Sequence, residues 1–274
     1  MDLIATLQCE DKPGIVHAMT TAVLASDGNI IENQQFTDPT TNTFVMRTRF
    51  ETNKPLADAK KILESGLGKF SPKLKVRSLT DKPKALVLVT KESHCLRDLL
   101  YLHDLDELPI EIPVVASNHE ELRSLVESHE IPFIKLNGND EVAIKDLVNK
   151  NQIDFIILAR YMQILSEGLS AKLSGRCINI HHSFLPGFKG ANPYKQAHTR
   201  GVKLIGATAH YVTSDLDEGP IIEQDVTRVT HGDTPEDLVR KGRDLERTVL
   251  SRALRYYLHD RVLINGATSV VFSD

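Results

Sequence analysis

The sequence contains no tryptophan and only three cysteines, Cys9, Cys95 and Cys177, among its 274 residues. Three cysteines so far apart supply neither a disulfide framework nor a paired-cysteine metal site. The pattern is typical of a reducing compartment, and we expect a cytoplasmic protein.

Long apolar runs and an excess of positive charge are also missing. No hydrophobic stretch approaches the ~18 residues of a membrane helix, so we expect no membrane span. The first five residues lack the basic region and the small-residue cleavage site of a signal peptide. The formal net charge of -4 and the pI of about 6.3 argue against nucleic acid or an anionic membrane as a partner.

A length of 274 residues predicts two domains. In the first eighty residues, strand-like runs at 3–7, 30–36, 43–50 and 74–79 surround helical patterns at about 13–24 and 55–67. We expect Pro13 in the first helical turn and Gly28 as a left-handed terminator. The order βαββαβ is the ferredoxin-like set. A charged, proline-containing linker at 81–84 separates a domain at 1–81 from one at 82–274.

The second domain alternates strands with helices. Its strands are predicted at 85–89, 112–116, 133–136 and 155–158, and such alternation implies a Rossmann-like α/β fold with a mainly parallel sheet. Ligands bind at the carboxyl ends of such strands. A late helix is predicted to begin at Thr234, with Asp237 in its first turn, and to end near Leu258. A terminal hairpin follows.

Two polar clusters stand at predicted strand ends. Asn179 and His181 are two apart on a strand and therefore project from the same face. His210 and Asp217 mark a second strand-to-turn junction. An amide, an imidazole and a carboxylate form a hydrolytic or acyl-transfer set that needs neither a metal nor a side-chain nucleophile.

These motifs resemble a known family. Asn179-Ile180-His181-His182-Ser183-Phe184-Leu185-Pro186 and Asp217-Glu218-Gly219-Pro220-Ile221-Ile222 resemble the folate-dependent formyltransferase domain, and within it the formyltetrahydrofolate deformylases. The first eighty residues resemble an ACT domain, with Asp11-Lys12-Pro13-Gly14-Ile15-Val16 at its strand-to-helix turn. The resemblance implies an ACT domain followed by a formyltransferase-type catalytic domain.

The resemblance also implies an activity, the hydrolysis of the amide C–N bond of 10-formyltetrahydrofolate to formate and tetrahydrofolate. Asn179 and protonated His181 would stabilise the oxyanion, and His210 would lie near the formyl group or the attacking water. Asp217 would relay a proton from water to N10, provided that burial raises its pKa. No cofactor is expected, and the formate would supply purine biosynthesis and balance one-carbon pools. A cis Leu185–Pro186 bond is a further expectation.

The folate itself is expected to bind after the central strand. There the resemblance places backbone groups that read the pterin edge and apolar side chains that line its flat face. The substrate-binding positions expected on this basis are Arg160, Tyr161, Met162, Ile164, Leu165 and Gly206.

The acceptor of the formyl group can be water or an amine. The related glycinamide ribonucleotide transformylases carry a glycine-rich phosphate loop after the first strand. Here that place reads Thr90-Lys91-Glu92-Ser93-His94-Cys95-Leu96, which has no glycine and contains a carboxylate, unlike a phosphate site. Water is therefore the favoured acceptor. The stretch from Gly190 to Ala197 resembles the deformylase version, and the resemblance implies that Asn192 and Tyr194 fill the space of the lost substrate. The alternative is a formyltransferase of the glycinamide ribonucleotide type.

The N-terminal domain has two possible roles. ACT domains commonly bind an amino acid, and the resemblance makes glycine or methionine the candidates. The alternative is a dimerisation module without a ligand, and either role predicts a homo-oligomer. The expected effector-binding positions are Asp11, Gly14, Ile15 and Asn29.

Other polar residues have plainer interpretations. His182 is expected to pack in the loop, and Ser183 to hydrogen-bond there, since no nucleophile-elbow pattern surrounds it. Adjacent histidines on a strand point to opposite faces, so we expect no metal. The stretch from Arg240 to Arg247 is expected to be a solvated helix face, and the scattered histidines are expected at the surface.

Overall fold

A computed structural model describes residues 1–187 and 193–273. The chain divides into two compact units. The first comprises Met1–Asp81 with His259–Asn265 and residues 270–273, and the second comprises Lys82–Leu258 with Gly266–Ser269. The residues after Leu258, which the sequence assigned to the second domain, are thus divided between the two units.

The first unit is a four-stranded antiparallel sheet of order β2-β3-β1-β4 with two helices. Its core is formed by apolar side chains such as Leu7, Met19, Met46 and Phe50. The predicted βαββαβ order is confirmed. Its elements are β1 (Asp2–Glu10), α1 (Ile15–Ala25), β2 (Gly28–Asp38), β3 (Thr43–Thr52), α2 (Leu56–Leu67) and β4 (Lys73–Ser78).

The turns around α1 differ from the prediction. Pro13 precedes the helix, because Gly14 has a φ of 95° and stands at the N-cap of α1. At the other end Asp27, with a φ of 53°, takes the left-handed conformation, and Gly28 already begins β2. An aspartate tolerates this conformation better than most residues, which the sequence pattern did not reveal.

The second unit is built on a seven-stranded sheet of order β11-β10-β9-β8-β5-β6-β7. The pairs among β5 to β9 are parallel, and β10 and β11 complete the sheet antiparallel. The predicted mainly parallel sheet is confirmed. Its strands are β5 (Lys84–Val89), β6 (Glu111–Ser117), β7 (Phe133–Lys135), β8 (Phe155–Leu158), β9 (Cys177–His181), β10 (Leu204–Tyr211) and β11 (Ile221–Arg228).

The helices of the second unit pack beside this sheet, and two of them, at Glu167–Lys172 and Pro193–Thr199, were not predicted. Both are short, so a 3.6-residue apolar period has little room to develop. The helices are α3 (His94–Asp104), α4 (Arg123–Glu127), α5 (Glu141–Lys150), α6 (Glu167–Lys172), α7 (Pro193–Thr199) and α8 (Pro235–Leu258). The final hairpin pairs β12 (Val262–Asn265) with β13 (Thr268–Val271).

Helix α8 begins as predicted but does not present a solvated face throughout. Its start is a reciprocal cap, in which the Thr234 hydroxyl accepts from the Asp237 N–H at 3.2 Å and the Asp237 carboxylate accepts from the Thr234 N–H at 3.1 Å. Further along, Gly242 and Glu246 are buried. The expectation of a solvated face from Arg240 to Arg247 is therefore wrong at these two positions.

Among the helices that the structure describes, none combines the length and apolar character needed to cross a membrane.

Candidate active site

Strands β9 and β10 bring two predicted site residues together. Their antiparallel register sets Asn179 opposite His210, and the Asn179 Nδ2 lies 3.2 Å from the His210 Nε2. The His210 Nδ1 lies 2.9 Å from the Tyr211 carbonyl oxygen, to which it can only donate. In the neutral ring the Nε2 is therefore the acceptor, and it receives a hydrogen bond from the Asn179 amide.

Asp217 reaches the same place from the turn after β10. Its Oδ1 lies 3.3 Å from the His181 Nδ1 and 3.8 Å from the His210 Nε2. The backbone of Asp217 has a φ of 58°. Two residues later the turn closes so tightly on β10 that a Cβ on Gly219 would stand 1.8 Å from the Tyr211 carbonyl oxygen. Only glycine fits there, and the turn then aims Asp217 at the two histidines.

The electrostatics of this cluster differ from the expectation for Asp217. Burial pushes the pKa of this carboxyl up, but the hydrogen bond from His181 and the electrostatic attraction of that ring outweigh it, so the pKa lies below its usual value. The expected rise is wrong, because burial was considered without the histidine partners. Asp217 is thus ionised at neutral pH.

The two other histidines of the cluster are held neutral. Burial lowers the pKa of His210, and burial together with the nearby Arg160 and His181 lowers the pKa of His182 to about 3. His181 differs from them in its contacts. Within the described residues its buried Nε2 has no hydrogen-bond partner. One ring nitrogen of His181 is therefore available to a ligand while the other faces Asp217.

A cavity of about 270 Å³ adjoins these side chains, and Asn179, His181, His210 and Asp217 all line it. Met162 is 51% exposed and Ile164 is 66% exposed, so their apolar side chains are available to a flat ligand. The structure places five of the six predicted folate positions on its wall, namely Arg160, Tyr161, Met162, Ile164 and Leu165.

Gly206 is the exception, since it is not among the residues that line this cavity. It lies within β10, where a Cβ would approach the Asp225 carbonyl oxygen to 2.7 Å and the Phe184 Cβ to 2.9 Å. Close packing of neighbouring chain segments, rather than contact with a ligand, explains glycine at this position.

A further part of the cavity wall was not identified from the sequence. It consists of the segment that joins β10 to Asp217, and it includes Leu216, which is 56% exposed. This segment lies in the sequence between His210 and Asp217, two predicted site residues. The sequence could therefore have identified it as part of the cavity wall. The lining residues of this segment are Val212, Thr213, Ser214, Asp215 and Leu216.

The loop after β9 is held in place by the hydroxyl of Thr208, a residue of β10. The Thr208 Oγ1 accepts from the Leu185 N–H at 3.0 Å and donates to the Ser183 carbonyl at 2.8 Å. The Ser183 hydroxyl donates to the Gly187 carbonyl at 2.7 Å, which is the predicted loop hydrogen bond. The Leu185–Pro186 peptide bond is cis, as predicted. Asn192, predicted to fill the space of a lost substrate, lies outside the described residues.

A second buried network lies beside the cluster and was missed. Its centre is Glu246 of α8, only 1% exposed, which accepts from the Tyr194 hydroxyl at 2.6 Å and lies 2.8 Å from the His94 Nε2 and 3.2 Å from the Arg160 Nε. Tyr194 fits because Gly242 has no side chain, since a Cβ there would lie 2.1 Å from the tyrosine ring. The expected surface position is wrong for His94.

This network also contains a group of potential metal ligands. Ligand atoms of His94, Cys95 and Glu246 lie within 4.8 Å of one another. Burial raises the pKa of the Cys95 thiol well above its usual value, so the thiolate form that binds metals is disfavoured. The carboxylate oxygens of Glu246 already contact His94, Tyr194 and Arg160. A hydrogen-bonded network accounts for the group.

The predicted effector positions do not meet within one chain. Asn29 pairs with Glu51 in the sheet, whereas Glu10, next to Asp11, pairs with Thr43. These pairings are eight residues apart on β3, or about 26 Å at the usual rise of a strand. Asp11 and Asn29 therefore stand at opposite ends of the sheet, and a single ligand cannot contact both in one chain.

Comparisons with known proteins show which family this chain resembles. The formyl transferase family model matches residues 83–254. A formyltetrahydrofolate deformylase of Bacillus subtilis is 44% identical over 278 residues, which cover 97% of this chain and 92% of the relative. The crystal structure of a formyltetrahydrofolate deformylase from Pseudomonas syringae pv. tomato has a TM-score of 0.96 at 41% identity and covers 99% of this chain and 94% of its own.

A phosphoribosylglycinamide formyltransferase from Anaplasma phagocytophilum is less similar. Its structure has a TM-score of 0.66 at 30% identity and covers 71% of this chain and 96% of its own. The deformylases, in contrast, match this chain over almost its whole length. The chain therefore belongs to the formyltetrahydrofolate deformylase family.

Proposed function

We propose that this protein hydrolyses 10-formyltetrahydrofolate to formate and tetrahydrofolate. The observation that carries the proposal is the convergence of Asn179, His181 and Asp217 on one cavity, which is also lined by the segment from Arg160 to Leu165. The deformylase names of relatives that match nearly the whole chain support the same activity.

The reaction begins with water as the nucleophile. Asp217, ionised because its pKa is lowered, accepts a proton from the water as the oxygen bonds to the formyl carbon. A carboxylate of low pKa is a weak base. The proton therefore has to be taken up in concert with bond formation, and Asp217 serves as a relay rather than as a lasting proton store.

The charge that develops on the formyl oxygen is stabilised by two donors. Asn179 uses one amide hydrogen for His210 and keeps the other for the oxyanion. His181 donates through Nδ1 to ionised Asp217, and a proton on its otherwise unpartnered Nε2 would donate to the same oxyanion. His210, neutral and fixed by the Tyr211 carbonyl, orients the Asn179 amide.

Collapse of the tetrahedral intermediate breaks the bond between the formyl carbon and N10. Asp217 returns its proton to N10, so tetrahydrofolate leaves as a neutral amine. The second proton of the water remains on the new carboxyl group and is released when formic acid ionises. The scheme uses water and protein side chains alone, without a cofactor or a metal.

The experiment that tests this proposal supplies 10-formyltetrahydrofolate without any amine acceptor. Equal amounts of formate and tetrahydrofolate are expected, and added glycinamide ribonucleotide should change neither yield. Strict dependence on that amine would favour the alternative, a formyltransferase. Glu92 stands in the segment where such enzymes bind phosphate, which argues against it.

The first unit is proposed to be an ACT-like regulatory domain that binds glycine or methionine. Since Asp11 and Asn29 lie at opposite ends of its sheet, a site that uses the turn at Asp11, Gly14 and Ile15 together with Asn29 must draw them from two copies. This requirement, and the 11-residue edge strand β2 with its exposed Ile31, support a homo-oligomer.

Calorimetric titration of the full chain with glycine and with methionine tests the effector. Heat of binding that is lost in Asn29→Ala, together with a change in hydrolysis rate, supports it. Absence of heat and of any rate effect favours a purely structural module.

We further propose a cytoplasmic enzyme that supplies formate for purine biosynthesis and balances one-carbon pools. The three free cysteines support a reducing location.

A further inference from the structure

A second cavity lies next to the folate cavity in the same unit. We name it the α8 cavity, since Val239, Arg243 and Glu246 of that helix form much of its wall, and it measures about 560 Å³. Arg160, Met162 and His182 line both cavities. The reaction centre and the α8 cavity are therefore separated by only a few side chains.

Arg160, one of the residues that separate the two cavities, is a cation whose hydrogen-bond donors are only partly paired. The Arg160 Nε and Nη1 are buried, and neither donates a hydrogen bond to any of the described residues. The ion pair with Glu246 holds the guanidinium in place through its Nε side at 3.2 Å, and leaves Nη1 without a partner. A buried guanidinium hydrogen without an acceptor is unfavourable, and a small anion would satisfy it.

The carboxylates around Arg160 are already engaged. Glu246 is held by Tyr194 and His94 as well as by Arg160. Glu92 pairs with Arg243 at 2.9 Å. Glu246 and Glu92 are thus paired locally, whereas the buried Nη1 of Arg160 has no partner among the described residues and can attract an anion.

The reaction produces such an anion close by. Formate is released beside ionised Asp217, which repels it, while tetrahydrofolate still occupies the folate cavity. We propose that formate passes His182 to Arg160, binds there, and leaves through the α8 cavity. This inference rests on the proposed hydrolysis, and it assigns to Arg160 the binding of the product carboxylate.

The first test measures formate itself on the intact protein. Equilibrium dialysis with radiolabelled formate and saturating tetrahydrofolate is expected to detect a bound carboxylate, with at least tenfold weaker binding in Arg160→Gln. Formate that competes with tetrahydrofolate, or that binds equally well to Arg160→Gln, would overturn the proposal. Tetrahydrofolate binding of the variant is measured in parallel.

The second test narrows the exit without touching Arg160. Val239→Phe places a ring in the α8 cavity, and we expect an unchanged first turnover followed by slower steady-state release, seen as a burst of tetrahydrofolate. Val142→Phe, at a 69% exposed position of α5, is the matched control and should show wild-type kinetics. If Arg160→Gln no longer binds tetrahydrofolate, the comparison of Val239→Phe with Val142→Phe alone tests the proposal.

The outcomes separate this inference from the proposed function. A wild-type protein that releases no formate refutes the hydrolysis. Normal hydrolysis with no burst in Val239→Phe refutes only the exit route and leaves the activity intact.

Discussion

Asn179 and His210 face each other across β9 and β10, with the Asn179 Nδ2 at 3.2 Å from the His210 Nε2. The His210 Nδ1 is bound to the Tyr211 carbonyl, so the ring cannot offer Nε2–H to Asn179 without becoming charged. Burial lowers the pKa of His210 and disfavours that charge. The amide orientation of Asn179 thus depends on a neutral histidine.

Asn179→Ala removes an oxyanion donor and should lower kcat about 100-fold, which corresponds to roughly 3 kcal/mol, with little change in KM. Steady-state kinetics measure both constants.

His210→Gln keeps an acceptor for the Asn179 amide and is expected to lose less activity than His210→Leu. Equal losses in the two His210 variants would show that His210 does not act by orienting Asn179.

Asp217→Asn removes the proton relay and keeps the shape of the side chain. Turnover should fall by a factor of about 100 or more, since general acid–base groups contribute about that much. Folate binding should persist, because the apolar wall of the cavity is unchanged. Stopped-flow turnover and fluorescence titration with tetrahydrofolate measure the two effects, and near-normal turnover would refute the role of Asp217.

His182 predicts a pH dependence of stability. Its pKa of about 3 in the folded chain lies below the usual histidine value, so the unfolded chain binds more protons in between. The stabilisation is present above pH ~6.5 and is lost as pH falls towards 3. Between pH 6 and 5 the free energy of unfolding of His182→Gln should fall less steeply with decreasing pH than that of the wild type. The two slopes should differ by up to about 1.4 kcal/mol per pH unit.

The control for His182 is His198→Gln, a change at an exposed position of α7. It should leave the slope of unfolding free energy against pH as it is in the wild type. Urea unfolding at several pH values gives both slopes, and an unchanged slope in His182→Gln would contradict the account.

Gly242→Ala should displace Tyr194, because the new Cβ would stand 2.1 Å from the tyrosine ring. Overpacking of this kind costs about 1–3 kcal/mol of unfolding free energy, measured by urea denaturation. In a Tyr194→Leu background the cost should largely vanish. Gly168→Ala in α6, with no atom near its added Cβ, is the matched control and should be close to neutral.

Part of the site followed from simple periodicities, whereas the catalytic roles and the folate-binding positions followed from the family resemblance. Asn179 and His181 share a face because residues two apart on a strand do so, and the alternation of strands and helices placed both polar clusters at one edge of the sheet. The segment from Arg160 to Leu165 reached the cavity because it follows the buried strand β8.

The features that were missed depend on contacts between distant segments. Glu246 was expected to be solvated because it lies among the charged residues of α8. In the structure Tyr194 packs against Gly242 and hydrogen-bonds to Glu246, which is buried and also contacts His94. The lowered pKa of Asp217 depends on the distance to His181, which no local pattern encodes. The separation of Asp11 from Asn29 appears only with the strand register.

The most direct test of the central claim is a single turnover of 10-formyltetrahydrofolate in water enriched in oxygen-18, with mass analysis of the formate. If water attacks the formyl carbon at the cluster of Asn179, His181 and Asp217, the formate should contain one labelled oxygen, and in Asp217→Asn the labelled formate should appear about 100-fold or more slowly. Unlabelled formate from the wild type, or labelled formate at the normal rate from Asp217→Asn, would contradict it.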